Sequence, residues 1–123
     1  MKFKINTREK FHAITINEPS LAANMTAELN DCLVRAQQNG AKNVVLNLKD
    51  IKSMDNAAAE QLVKTQQNFY ETNASFVICG LNPEVEKFLD ETALLELMNT
   101  TPTESEAADI VQMEEIEREL LGD

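Results

Sequence analysis

Two short runs constrain this chain more than any other feature: Asn43-Val44-Val45-Leu46-Asn47-Leu48 and Ser75-Phe76-Val77-Ile78-Cys79. Each is almost continuously apolar, rich in β-branched residues and too short for a helix, which is the pattern of a strand buried on both faces. Each is followed by a stretch whose apolar residues recur every three or four positions. A strand buried on both faces needs cover on both. The alternation therefore implies a sheet with parallel or mixed pairs and helices laid across it.

The remaining segments fit that plan. Residues 3–7, FKINT, and 11–16, FHAITI, alternate with a period of two around a polar REK, as a hairpin does. His12 falls on the second strand and is expected to be exposed or half-buried. Asn17-Glu18-Pro19-Ser20 breaks that strand. Leu21, Met25, Leu29, Cys32, Leu33 and Ala36 then recur at helical spacing, with Gly40 placed to end the helix. Lys49 to Ser53 reads as a loop. Residues 57–72 read as a helix with Ala59, Leu62, Val63, Phe69 and Tyr70 on one side. Asn82-Pro83 starts the next helix, with Asn as the cap and Pro where its missing N–H costs nothing. Residues 94–98, LLELM, read as a short helix end passing into an edge strand. Thr103 with Glu106 forms a capping box that opens a last helix. The order is β-β-α-β-α-β-α-(β)-α over 123 residues, the size of one domain.

The junction IKSMDNAAAEQLV, residues 51–63, draws the eye because a strand-to-helix turn aims backbone N–H groups outward. It holds Ser53, Met54, Asp55, Asn56, Ala57 and Ala58. Asp55 or Asn56 suits a helix cap, and no hydroxyl or thiol directly follows Asp55. Chemistry of other kinds lacks its parts. The glycines at 40, 80 and 122 make no phosphate loop, and one histidine supports neither a catalytic triad nor a zinc site. Cys32 and Cys79 each lie inside an apolar pattern and read as buried free thiols of a reducing compartment. No apolar run reaches the ~20 residues of a membrane span, and the polar, alternating N-terminus does not read as a signal peptide. A cytoplasmic, non-enzymatic protein with no cofactor and no metal is expected.

The run NVVLNLKDIKSMDNAAAEQLV resembles the core signature of STAS domains, the fold of bacterial anti-sigma factor antagonists. In that family a strand near V-V-L-D-L leads through a loop to M-D-S-S-G and a helix. Here Val44, Val45, Leu46 and Leu48 match the strand, and Met54-Asp55 match the start of the signature. Phe76 to Leu81 followed by Asn82-Pro83-Glu84-Val85 is similar to the family's later strand and its G-L-x-P-x-V helix start. Leu94, Leu95 and Leu97 are similar to its T-G-L-L-x-L-F segment. The resemblance spans about residues 3–110 and implies an α/β fold: a STAS-like single domain with a mixed four- to five-stranded sheet covered by about four helices.

It also implies a function and a departure from it. The family's residue after the signature Asp is usually the serine, sometimes threonine, that a partner kinase phosphorylates. Here it is Asn56, with Ala57 and Ala58 in place of the next serine and the glycine. Asn accepts no phosphoryl group, and it lacks the roughly −1.5 to −2 charges that phosphate would add. The implied role is regulation of transcription by partner capture, with residues 53–58 as the partner-binding turn and the usual switch lost. Ser53 or Thr65 are the hydroxyls to which the acceptor could have moved. The partner would be an anti-sigma factor, a serine-kinase-like protein, or a larger regulatory assembly. An alternative is a STAS subunit of a membrane transport or lipid-trafficking ATPase complex. Nucleotide binding, ascribed to some members, is less favoured without a glycine-rich loop.

Charge adds one more feature. The net charge is −10, and residues 103–123 supply most of it, with eight acids against the single base Arg118. No basic stripe is present to hold nucleic acid. The last helix runs past the family's usual end near residue 110 and reads as an acidic extension over 103–123. Ala107, Ile110, Met113, Ile116 and Leu120 make a narrow apolar stripe. Either this stripe packs on the sheet with the acids in water, or it docks a partner or a second copy. An acidic helix of this kind suits no anionic membrane.

Overall fold

The computed structural model describes residues 1–38 and 42–121. Gly40, expected to end the first helix, lies outside them. The central sheet has five strands: β1 (Phe3–Thr7), β2 (Phe11–Ile16), β4 (Asn43–Asn47), β6 (Phe76–Cys79) and β7 (Thr100–Thr101), side by side in that order. β1 and β2 form the antiparallel hairpin, and every later neighbour is parallel. A second ladder pairs β3 (Ser20–Leu21) with β5 (Ser53–Met54). The helices are α1 (Thr26–Gln38), α2 (Asn56–Glu71), α3 (Pro83–Glu91) and α4 (Glu104–Leu120). The mixed five-stranded α/β sheet and its four helices agree with the expected architecture.

Side-chain alternation splits the core into two layers. Ile14, Ile16, Val44, Leu46, Phe76 and Ile78 point to the face covered by α1, α2 and α3, where they meet Leu29, Leu33, Leu62 and Leu89. The Phe69 and Phe76 rings pack there with centroids 5.0 Å apart. Val45, Val77 and Cys79 point to the other face, where Ala107 and Val111 of α4 close over them. This second layer is thin and built of small side chains, so one helix suffices to cover its centre.

Several local expectations give way to tertiary context. Leu21 does not begin a helix; it pairs with Met54 in the short parallel ladder. A turn of 3-10 helix at Ala23–Met25 intervenes before α1. Ser53, expected in a loop, is in β5. His12 is buried at 2% exposure, not exposed or half-buried, because α1 and the hairpin enclose it; its Nδ1 lies 2.9 Å from the Thr7 hydroxyl. Asn82 occupies the cap position of α3 without capping it. Its amide instead donates to the Lys49 and Ile51 carbonyls, at 3.2 and 2.6 Å, and fixes the loop after β4. Thr103 does cap α4, its hydroxyl accepting from the Glu106 N–H at 3.2 Å.

The inner face of α4 is not the whole expected stripe. Ala107 and Val111 are buried and Ile110 is partly so, while Met113, Ile116 and Leu120 are exposed at 59%, 46% and 80%. Beyond Val111 the helix is held by polar groups. Arg118 donates to Ser75 Oγ at 2.9 Å and to Glu115 at 2.8 Å, and Asn43 donates to Glu115 at 3.0 Å. Burial works to raise the Glu115 carboxyl, but the hydrogen bonds from Asn43 and Arg118 and the charge of Lys42 hold it below the ordinary range.

Candidate functional site

The turn from β5 into α2 takes its shape from Asp55. Its backbone is extended, and its Oδ1 accepts from the Ala58 N–H at 2.8 Å, capping one of the four donors that the first helical turn leaves over. Its Oδ2 accepts from the Ala23 N–H at 2.9 Å, on the turn that leads into α1. Its own N–H donates to the Leu21 carbonyl at 3.2 Å. One residue thus fastens the start of α2 to the approach to α1. The Ala58 bond first, and then the Ala23 bond, hold the Asp55 carboxyl below the usual carboxylate range.

The six residues of the turn divide by exposure. Ser53, Asp55, Asn56 and Ala57 are exposed, whereas Met54 and Ala58 are buried. Met54 and Ala58 are therefore supports beneath the turn, and its outer surface is polar and small. Asn56 is the first residue of α2, and its amide donates to Glu60 one turn along. Ala23 and Asn24 are exposed beside the turn, across the Asp55 bridge. Thr65 differs from Ser53 in a way the sequence does not reveal. It is 6% exposed, and its hydroxyl shares its one proton between the Gln61 carbonyl at 2.9 Å and Asn30 Oδ1 at 3.2 Å, so it is committed inside the fold.

The ends of the central strands frame this surface. Gly80 closes β6 at φ +75, where a Cβ would stand 2.8 Å from Asn47 Oδ1. Asn47 Oδ1 itself accepts from the Lys49 N–H at 3.0 Å. These bonds, with those of Asn82, hold the segment between β4 and β5 in place. That segment carries the turn to the end of the sheet where β4 and β6 finish, the end at which open α/β sheets present their binding groups.

Other chemistry is poorly supplied. Cys32 and Cys79 are buried free thiols. Burial raises both, Cys79 to about 11, so neither is poised as a thiolate. Among the described residues no group of three His, Cys, Asp or Glu could hold a metal ion, and no helix is long and apolar enough to cross a membrane.

Comparison with known proteins agrees with this geometry. The model of the STAS domain family matches residues 2–107. The anti-sigma-B factor antagonist of Staphylococcus aureus is 21% identical over 99 residues, covering 80% of this chain and 91% of that protein. Among solved structures, an anti-sigma factor antagonist from Mycobacterium paratuberculosis superposes with a TM-score of 0.73 at 13% identity, over 90% of this chain and 93% of that one. The anti-sigma factor antagonist SpoIIAA in its unphosphorylated form gives 0.70 at 17% identity, over 90% and 96%. The curated relative and these two structures are described as anti-sigma factor antagonists, and at such identities the structural likeness speaks for the fold.

Proposed function

The chain belongs to the STAS domain family, and we propose that within it this protein is a non-enzymatic interaction module of the anti-sigma factor antagonist kind. It regulates transcription by capturing a partner, either a serine-kinase-like anti-sigma factor or a larger regulatory assembly containing one. The contact surface is the turn of Ser53, Asp55, Asn56 and Ala57, resting on Met54 and Ala58. The observation that carries this reading is the exposed, uncharged Asn56 at the first position of α2, beside an Asp55 that already ties two helices together.

A phosphoryl group at that position would bring about two negative charges to an outward surface. Asn56 brings none, and without a hydroxyl it accepts no phosphoryl group. Its neutral, hydrogen-bonding surface corresponds to an unphosphorylated antagonist, so capture is constitutive as far as this position is concerned. Ser53 is the exposed hydroxyl of the turn, and phosphate there would restore a switch two residues upstream of Asp55.

Affinity purification from the native cell, with the wild-type chain and with Asn56→Asp, tests the reading. The wild type is expected to retain a serine-kinase-like anti-sigma factor with or without ATP, and Asn56→Asp to retain about tenfold less or below, since a charge facing a matched surface costs upward of ~1.4 kcal/mol. Equal retention by the two proteins would overturn the assignment of the turn. Phosphate found on Ser53 in the native protein would overturn the constitutive reading while leaving the turn as the contact.

A further inference from the structure

We propose that the outward face of α4 is a second docking surface, built for a basic amphipathic segment of another protein. Met113, Ile116 and Leu120 are exposed at 59%, 46% and 80%. At about 100° per residue, Met113 lies roughly 200° round the helix from the buried Val111, and Ile116 and Leu120 stay within about 60° of Met113. The three therefore form one stripe pointing away from the sheet, with the spacing that helix-in-groove contacts use.

The charges around the stripe select its occupant. Asp109 and Glu117 stand four residues to either side of Met113, within about 40° of it on the helix surface, and Glu106 is seven residues before it. All three are exposed. The helix has one base, Arg118, and its guanidinium is turned to the sheet, donating to Ser75, Asn43 and Glu115. Among the described residues of α4 the outward face thus carries acids and no cation. A second copy of the same face would set acids against acids. A segment with apolar anchors at intervals of three and four, flanked by Lys or Arg, satisfies both the stripe and its border.

The helix is also prepared to bind. Ala107 and Val111 anchor its first half. The Tyr70–Glu114 bond at 2.7 Å and the Arg118–Ser75 bond at 2.9 Å anchor its second. Docking on it therefore orders little that is not already ordered. The stripe lies past residue 107, where the family match ends, and on the face of the sheet opposite α1, α2 and α3. It is separate from the turn at Asn56 and does not depend on the function proposed for it.

The test uses the full chain and two labelled synthetic peptides, one of Leu and Lys at amphipathic helical spacing and one with Glu for every Lys, read by fluorescence anisotropy. The Lys peptide is expected to bind, more weakly as salt rises, and the Glu peptide not to bind. Met113→Ser with Ile116→Ser should weaken the Lys peptide about tenfold or more, since burial of these two apolar anchors drives the docking. Asp109→Asn with Glu117→Gln should flatten the salt dependence. Asn56→Asp should leave the affinity unchanged, which keeps this surface distinguishable from the α2 turn. All these positions are exposed, so unchanged melting confirms folding. Equal binding of the two peptides, or affinity indifferent to the Met113 and Ile116 changes, would sink the proposal. Self-association in sedimentation velocity that those changes abolish would assign the face to a second copy instead.

Discussion

The Tyr70 hydroxyl donates to Glu114 Oε1 at 2.7 Å and accepts from the Asn99 amide at 2.8 Å, joining α2 on one face of the sheet to α4 on the other. Glu114 lies beyond the family-matched segment, so the contact ties the second half of α4 to the helix layer on the other face of the sheet. Burial first, and then the Glu114 carboxylate, push the Tyr70 phenol up to about 12.

Tyr70 is the single tyrosine of a chain without tryptophan, so tyrosinate absorbance reads it alone. Its titration midpoint should fall near 12 in the folded protein and near 10 in denaturant. A phenol whose folded pKa is raised contributes stability that is present below the unfolded value and lost as pH climbs from about 10 to about 12. Alkaline melts of the wild type should therefore decline more steeply than those of Tyr70→Phe over that window. Parallel declines would show that the bridge does not hold in solution.

Asp55 should shape the acid limb. Its carboxyl is depressed in the folded state, so its contribution is complete above the unfolded value near 4 and is lost as pH falls through the folded one. Asp55→Asn keeps an acceptor for one of the two N–H groups and removes the titration. Its melting temperature should start lower at neutral pH and change less on acidification than that of the wild type. Asp55→Ala, which leaves both the Ala58 and Ala23 N–H groups without their acceptor, should melt lower still. Identical acid limbs for wild type and Asp55→Asn would remove Asp55 from the account.

Asn43 is 1% exposed and bonds to four residues, Arg118 among them. Its oxygen accepts from the Ser75 N–H at 2.7 Å, and its amide donates to the Lys10 carbonyl at 2.8 Å and to Glu115 at 3.0 Å. Asn43→Ala strands a buried donor and acceptors together, a loss of roughly 3 kcal/mol. In a chain of this length that lowers the melting temperature by roughly 10 °C. A change under a few degrees would mean that water replaces the amide. Asn43→Asp should fail as well, because the Lys10 carbonyl would then face a carboxylate.

Asn56→Ser returns a hydroxyl to an exposed first position of α2. Incubated with the serine-kinase-like partner proposed above and ATP, the Ser variant should take up phosphate at residue 56 and release the partner, while the wild type takes up none there. A Ser variant that stays unmodified beside an active kinase would separate this turn from kinase recognition altogether.

Most of this architecture was legible one residue at a time. The hairpin of Phe3–Thr7 and Phe11–Ile16, the central strands at Val44 and Val77, a cap at Asp55 or Asn56 and the cap at Thr103 all follow from periods of two and 3.6 and from side chains that satisfy backbone donors within three residues; the structure chooses Asp55. Such signals are local, and the sequence carries them whole. The absence of a hydroxyl at Asn56 is likewise visible without coordinates.

What escaped were relationships between distant residues. The Leu21–Met54 ladder has two residues on each side and no periodicity to betray it. His12 sits on an alternating strand like any other, and only the helix laid over it decides that it is buried. Helical spacing placed Ala107 and Met113 in one stripe, but periodicity gives an angle about an axis and not what stands beside it. Ser75 and Asn43 draw Arg118 inward at the far end of α4, and that grip turns Met113, Ile116 and Leu120 to solvent. The sequence by itself determined the main strands and helices and their order, since backbone propensity and capping act over a few bonds. Which faces meet was decided only by the folded chain, because burial depends on neighbours tens of residues away.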